Sequence, residues 1–191
     1  MKPLHVAIAA LALPVALAAQ QPAAAAPGNP ITTVFRNRTL AQQRNLALAF
    51  DSIPESKFGY KPTPAQLTIG YIAQHLASDT YFFCNNFGDA KGTRSAEETS
   101  TPDSVKATWP KEKLVTQLKT SFAFCESALG QLDDAKLAED VTMTSNGNTR
   151  KQPRAGMALG HVADMADHYS QLANYMRLNG LVPPTAQPRR P

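Results

Sequence analysis

The amino-acid sequence predicts an all-α protein whose single domain is a four-helix bundle. Four long segments carry apolar residues at the three- and four-residue spacing of helices. None shows the sustained alternation of apolar and polar residues that marks a half-buried strand. About 160 residues follow the N-terminal thirty, which is enough for one domain with one core. Long helices in one domain of this size are typical of a bundle.

The N-terminal segment predicts export. "MKPLHVAIAALALPVALA" combines an early Lys, an apolar run and small residues before a cut after Ala18, as secretory signal peptides do. The apolar run is short and Pro14 interrupts it, so no membrane anchor is expected after signal cleavage. The expected location is therefore periplasmic or secreted. The predicted parts are a signal peptide (1–18), a flexible Ala/Pro linker (19–30), the bundle (31–185) and a disordered tail (186–191).

The first two helices are predicted from their stripes and end signals. The first is expected to run from about Ile31 to Ile53, before Pro54. Its candidates for burial are Ile31, Val34, Phe35, Leu46 and Phe50. The second is expected to start at Thr63, with Pro64 at the first helical position and Gln66 completing a capping box. Its shared face is Ile69, Ile72, Ala73, Leu76, Thr80 and Phe83.

Two polar loops separate the remaining helices. "GDAKGTRSAEETSTPDS" is expected to be a long surface loop without a core of its own, and "TSNGNTRKQP" a turn-rich loop. The third helix begins near Pro110, and the fourth runs from about Arg154 to Asn179. Gly180 is a C-cap candidate, and Pro183 and Pro184 prevent continuation. The stripe of the third helix is Leu114, Leu118, Phe122, Cys125 and Leu129.

The charge pattern argues against one class of partner. Nineteen Lys and Arg against 15 Asp and Glu give a net charge of +4 at pH 7. Basic residues cluster only in the C-terminal "PRR", so binding to nucleic acid is not expected. A small-molecule substrate is expected, although the sequence does not identify it. A homodimer is compatible with the sequence.

Three histidines follow the predicted signal peptide, and all face inward on a helical projection. His161 and His168 lie two turns apart, about 10 Å, which is too far to share one ion easily. Asp164 lies one turn from each, so it can pair with either. A third ligand must come from another helix, and His75 is the remaining histidine. Two interpretations stay open: a metal site, or buried histidines hydrogen-bonded to a carboxylate, carbonyl or water.

The two cysteines, Cys84 and Cys125, are candidates for a disulfide because export places them in an oxidising compartment. Both lie on predicted buried stripes. Two buried free thiols are the alternative, since Cys behaves as a small hydrophobe. A catalytic thiol has less support, because neither Cys has a His or Lys nearby in sequence to lower its pKa.

Two stretches, "FGYKPTPAQLTIGYIAQHLA" and "DMADHYSQLANYMRLNGLVPP", resemble the DinB-like superfamily. These proteins are four-helix bundles related to bacterial metal-dependent thiol transferases and hydrolases. The resemblance covers almost the whole chain after the signal peptide, and its landmarks come in the same order. The DinB-like superfamily typically has one His on the second helix and an HxxxH pair on the fourth.

This resemblance implies a divalent-metal site with three ligands. His75 matches the first ligand and His168 the last, whereas Asp164 stands where the family has a histidine. Asp binds the same ions, so a site of two His and one Asp is chemically sound. Zn²⁺ and Ni²⁺ are the favoured ions. His161 and Gln171 are expected to serve as an alternative ligand or as partners that orient a ligand or the substrate.

Two functions of different classes follow. The first is a metal-dependent hydrolase or transferase, in which an ion with three protein ligands keeps positions open for a substrate. The second is a non-catalytic exported bundle that acts as a binding or interaction module. The sequence contains no separate nucleophile or acid–base group that decides between them. The role of Asp164 is the feature that distinguishes the two.

Overall fold

The computed structural model describes residues 28–145 and 147–188. The predicted signal peptide, most of the predicted linker and residues 189–191 of the predicted tail lie outside this part of the chain. The elements, in chain order, are α1 (Pro30–Ser52), a 3-10 turn (Glu55–Lys57), α2 (Ile69–Cys84), α3 (Ala96–Ser100), α4 (Asp103–Lys106), α5 (Lys111–Gly130), α6 (Asp134–Leu137), β1 (Asp140–Ser145), β2 (Asn148–Pro153), α7 (Arg154–Leu178) and a 3-10 turn (Pro184–Ala186).

Four long helices of this region form the predicted bundle. α2 packs against α5 and α7, and α1 packs against α7 and α5. The predicted stripe of α5 is buried along its whole length, and most of the α2 stripe is buried too. The main core is completed by aromatic and thioether side chains from α1 and α7. These are Phe50, Met165, Tyr169, Tyr175 and Met176.

The first turn of α1 differs from the prediction. Ile31 and Val34 are 57% and 58% exposed, whereas the polar Thr32 is fully buried. The backbone N–H groups of Ile31 and Thr32 donate to the carboxylate of Asp134 at the start of α6. These contacts satisfy N–H groups that have no partner within the helix, so polar contacts fix the turn. Of the predicted apolar stripe, Leu46 and Phe50 are buried, and Phe35 is partly buried against a second hydrophobic core.

The start of α2 also differs from the prediction. The N-cap is Thr68, whose hydroxyl accepts from the backbone N–H of Tyr71 at 3.1 Å. Thr63 and Gln66 form a separate turn instead. The backbone N–H groups of Ile69 and Gly70 donate to carbonyls of the segment that precedes this turn. These longer-range bonds set the helix start, and a local capping pattern does not contain them.

An antiparallel hairpin, β1–β2, stands where the sequence suggested a loop. Ser145 pairs with Asn148, and Gly147 has a φ of +76°, as two-residue hairpin turns require. Val141 and Met143 are buried, but the β2 side chains are largely exposed. The apolar alternation therefore covers only two residues, which is too short to indicate a strand. The Asn-Gly dipeptide at 146–147 was the available signal.

The predicted loop after α2 is more ordered than expected, because it contains α3 and α4. Ser95 and Glu98 form a capping box at the start of α3. Gly70 in α2 lies against α4 so closely that a Cβ there would be 2.2 Å from the carbonyl oxygen of Ala107. The segment that contains α3 and α4 is therefore packed against α2 through close backbone contact between Gly70 and Ala107.

The end of α7 follows the prediction. Gly180 has a φ of +73°, and the N–H of Leu181 donates to the carbonyl of Met176 at 2.9 Å. A glycine in the left-handed conformation, followed by an N–H that donates to a carbonyl five residues earlier, is the Schellman motif that commonly ends helices. Within residues 28–145 and 147–188, no helix combines the length and apolar content needed to cross a membrane.

Candidate metal centre

α2 and α7 bring together the three predicted ligands. Asp164 Oδ1 lies 3.4 Å from His168 Nε2 and 3.8 Å from His75 Nε2. The two imidazole rings meet edge to face, with centroids 4.8 Å apart. One donor atom from each residue lies within 4.8 Å of the others. His75 and Asp164 are 89 residues apart in sequence (164 − 75), and the packing of α2 against α7 brings them together.

Neighbouring side chains set the position of these groups. Asp164 and His168 are four residues apart on α7 and share one face of that helix. The His75 ring stacks against Tyr71, one turn earlier on α2, with centroids 6.2 Å apart. His168 is 8% exposed, whereas His75 and Asp164 are 29% and 20% exposed. The group therefore has a buried side and a side that small molecules can reach.

The charges of the group favour the ionised carboxylate. Burial acts to raise the pKa of Asp164, but hydrogen bonds from His168 and His75, together with their charges, hold that pKa well below its usual range. The hydrogen bond with Asp164 raises the pKa of His75 despite partial burial, with the charges of Asp79 and Asp103 adding to the effect. Protons and a cation therefore compete for the same donor atoms.

The donor set fits a divalent cation. Ligands about 2.0–2.1 Å from a tetrahedral ion are about 3.4 Å from one another. The Asp164–His168 separation has this value and the Asp164–His75 separation is 0.4 Å longer (3.8 − 3.4). Asp164 Oδ2 is buried and accepts no hydrogen bond from the described residues. His168 Nδ1 is likewise buried and has no hydrogen-bond partner among the described residues.

Asp79 is a further carboxylate at the site. It lies four residues after His75 on α2, and its Oδ2 is 3.5 Å from His75 Nε2. Burial raises the pKa of Asp79, and the nearby His75 opposes that rise. Asp79 also lines a cavity of about 560 Å³ between α2 and the segment that precedes α3. The four-residue spacing from His75 can be read in the sequence, whereas the cavity cannot.

The structure does not bring the other two predicted residues into this group. His161 Nε2 lies 3.5 Å from Cys125 Sγ, and its ring packs between Phe83 and Phe87. Gln171 donates to Asp167 at 2.9 Å on the outer side of α7. Asp164 raises the pKa of His161 only as the weaker of two influences.

The two cysteines form a disulfide that joins α2 to α5. Cys84 and Cys125 are both fully buried, and their Cα atoms are 5.2 Å apart. The predicted disulfide is therefore present, and the alternatives of free or catalytic thiols do not apply to this structure. Although His161 lies beside the two sulfurs, these sulfurs are bonded to each other and carry no thiolate charge. Both cysteines lie in a second hydrophobic core, which also contains Phe87 and Met157.

His161 makes the fold sensitive to acid. Burial lowers its pKa from 6.5 to about 4, while the charge of Asp164 acts weakly in the opposite direction. The folded state thus prefers the neutral ring: the stability is fully present above pH 6.5 and is lost as pH falls toward 4. Between pH 7 and pH 4.5, we expect wild type to lose about 2–3 kcal/mol more than His161→Gln. Urea unfolding at both pH values measures this difference.

Other acid-sensitive groups are the same in wild type and His161→Gln, so their contributions to the change in unfolding free energy cancel in this comparison. His161→Gln keeps a polar side chain at the buried position and removes only the titration. A stability difference between wild type and His161→Gln that is the same at both pH values would contradict the assignment.

A comparison of the sequence with protein families identifies the class of protein. The profile of the DinB superfamily matches residues 38–172, a range that contains His75, Asp164 and His168. The chain belongs to the DinB superfamily. The prediction from the two sequence stretches is thereby confirmed. No curated protein sequence matches the chain significantly.

Solved structures agree with this family assignment. A DinB-like protein from Bacillus subtilis has a TM-score of 0.60 at 16% identity, over 82% of this chain and 99% of that one. One from Bacillus cereus ATCC 10987 has a TM-score of 0.58 at 16% identity, over 78% and 93%. A mycothiol-dependent maleylpyruvate isomerase has a TM-score of 0.59 at 15% identity, over 74% of this chain. The match spans 60% of the isomerase. These likenesses establish the fold.

Proposed function

We propose that this DinB superfamily member is an exported divalent-metal protein that catalyses hydrolysis or group transfer. His75, Asp164 and His168 are its ligands, and Zn²⁺ or Ni²⁺ is the favoured ion. The convergence of three donor atoms from two helices, with spacings close to those around a tetrahedral ion, is the observation that carries the proposal. The signal-peptide pattern of the N-terminal residues supports the export.

Three protein ligands suit a catalytic site better than a structural one. Structural zinc sites close all four positions with protein ligands, whereas catalytic sites keep one position open. A bound ion would polarise a substrate oxygen, lower the pKa of a water or stabilise a thiolate. The partial exposure of His75 and Asp164 gives a small molecule access to the ligand group.

The residues of this chain supply the remaining parts of such a site. Asp164 places its negative charge between two imidazoles and opposes the positive charge of the ion. Asp79 is the carboxylate that contacts His75 and also faces the cavity. Its Oδ2 can therefore accept a proton from a substrate or water that lies in this cavity.

Hydrolysis has more support than thiol transfer. The solved isomerase depends on mycothiol, but this dependence is a property of that protein, and the likeness to it establishes only the fold. Low-molecular-weight thiols are mostly cytosolic, whereas the N-terminal pattern predicts export. A hydrolytic reaction needs only water as the second reactant.

A binding module is the second candidate, and one observation favours it. Asp164 Oδ1 already lies 3.4 Å from His168 Nε2 and 3.8 Å from His75 Nε2, so the carboxylate is balanced in part by the two rings without an ion. Such a network stabilises a bundle without catalysis. In this case the cavity beside Asp79 binds a ligand that is not transformed.

Activity of the metal-loaded protein tests the proposal. The mature chain, loaded with Zn²⁺ or Ni²⁺, is assayed against ester, amide and lactone substrates and against thiol transfer to an electrophile. We expect turnover that a chelator abolishes and that is lost in His75→Ala. Asp167→Ala, which changes an exposed carboxylate on the same helix, should retain it. Loaded protein without turnover across these classes would favour the binding module.

A further inference from the structure

The cavity lined by Asp79 is a cleft next to the candidate ligands, although none of the three ligands lines it. Its volume of about 560 Å³ lies within the range of small-molecule sites. Asp79 lines the cleft and contacts His75, so the cleft adjoins the group. His75, Ser78 and Asp79 lie at intervals of three and four residues and share one face of α2. Ser78 and Asp79 are separated from His75 by only about 4.5–6 Å of helix rise.

Arg94 presents its guanidinium in this cleft. Its Nη1 donates to Ser78 Oγ at 2.8 Å, which connects the segment before α3 to α2. Among the residues that the structure describes, no carboxylate lies within 4.0 Å of the guanidinium. Asp79 lines the same cleft, but its carboxylate contacts His75 instead. The other four of the five guanidinium N–H donors have no hydrogen-bond partner among the described residues.

The backbone that carries Arg94 is held firmly. Asn85 Nδ2 donates to the carbonyl of Gly92 at 3.1 Å, and the N–H of Gly92 donates to Asn85 Oδ1 at 2.7 Å. A Cβ at position 92 would lie 2.6 Å from a ring atom of Phe124 and 2.7 Å from one of Tyr81. Only glycine allows this close approach. These contacts, together with the hydrogen bond to Ser78, fix the position of the guanidinium, as is needed for a group that orients a ligand.

We propose that Arg94 binds the carboxylate of a small anionic substrate whose reactive group lies at the ligand centre. The inference rests on the proposed function and specifies its substrate class. The planar fork of an arginine matches a carboxylate in two parallel hydrogen bonds. Asp79 in the same cleft disfavours a doubly charged phosphate more than a singly charged carboxylate. The substrate is therefore a carboxylate short enough to reach both Arg94 and the candidate ligands.

Mercapto acids test this arrangement without turnover. The protein is loaded with Co²⁺ and titrated with mercaptoacetate, mercaptopropionate and mercaptobutyrate, each compared with its uncharged amide. Absorption of the thiolate–cobalt pair measures binding. In the wild type, we expect the best-fitting acid to bind about tenfold more tightly than its amide, as a charge-assisted hydrogen bond provides.

Two variants and a control assign this preference to Arg94. Arg94→Gln should bind acid and amide equally, whereas Arg94→Lys should keep part of the preference. Arg38→Gln removes the same charge from an exposed position on α1 and should behave as the wild type. Circular dichroism and the melting temperature of each variant establish that it is folded.

The outcomes separate the two proposals. Equal binding of acid and amide by the wild type, or a preference that survives Arg94→Gln, would overturn the role of Arg94 and leave the metal site standing. Failure of folded wild type to take up Co²⁺ would overturn the proposed function and, with it, this inference.

Discussion

The mature protein is expected to bind close to one divalent ion per chain, and Asp164→Ala is expected to weaken that binding by more than about a hundredfold. Loss of a group that only orients a ligand already costs about 10–100-fold in affinity, and loss of a ligand costs more. Asp164 lies between both histidines, with its Oδ1 3.4 Å and 3.8 Å from their Nε2 atoms. Asp164 is also the one negatively charged residue among the three proposed ligands.

Competition with a chromophoric chelator measures the affinity on protein purified without a nickel column. Asp167→Ala is the matched control, because it removes an exposed carboxylate three residues further along α7. Asp164→His restores the histidine of the family pattern and should retain the ion. Equal affinities for wild type and Asp164→Ala would contradict the assignment of Asp164 as a ligand. If the wild-type protein bound neither Zn²⁺ nor Ni²⁺, the proposed metal site would be contradicted.

Removal of the disulfide is expected to cause the largest loss of stability. Cys84 and Cys125 are separated by 41 residues, and the chain-entropy model gives about 4 kcal/mol for a loop of that length. In a domain of this size the loss corresponds to a drop of about 8–16 °C in melting temperature. The double variant Cys84→Ala/Cys125→Ala should therefore melt much earlier than the oxidised wild type.

Guanidinium unfolding of both proteins, with and without a reducing agent, measures this effect. The reducing agent should destabilise the wild type and leave the double variant unchanged. Ser121→Ala, a small buried side chain one turn before Cys125 on α5, controls for changes in packing. If the double variant lost no more free energy of unfolding than Ser121→Ala, the disulfide would not be a main source of stability.

The bundle could be predicted from the sequence because apolar spacing and helix-end signals are local patterns that recur in each long helix. The α5 stripe from Leu114 to Leu129 and the left-handed Gly180 follow from spacing and end signals alone. The start of α2 does not, because backbone bonds from Ile69 and Gly70 to an earlier segment override the capping pattern at Thr63. Contacts of this kind depend on how distant segments pack, and no local pattern contains them.

The candidate site was predicted for a similar reason and with a similar limit. The spacing of Asp164 and His168 on one helix, and the match of His75 to the family pattern, named the three side chains that the structure brings together. Arg94 gave no such signal, since it lies in a polar stretch with no periodicity. Its contact with Ser78 depends on the Asn85–Gly92 pair that fastens the loop.

The shared carboxylate of Asp164 would allow the proposed site to exchange its ion without unfolding the bundle. When the ion left, a proton on His75 would take over the positive charge, and Asp164 would pair with that proton. Each uptake of an ion must in turn release protons, so acidification shifts the exchange toward the empty site. The proposed export would place the protein in surroundings whose pH and metal content change more than those of a cytosol. A site that stays folded in both forms can load and unload repeatedly there.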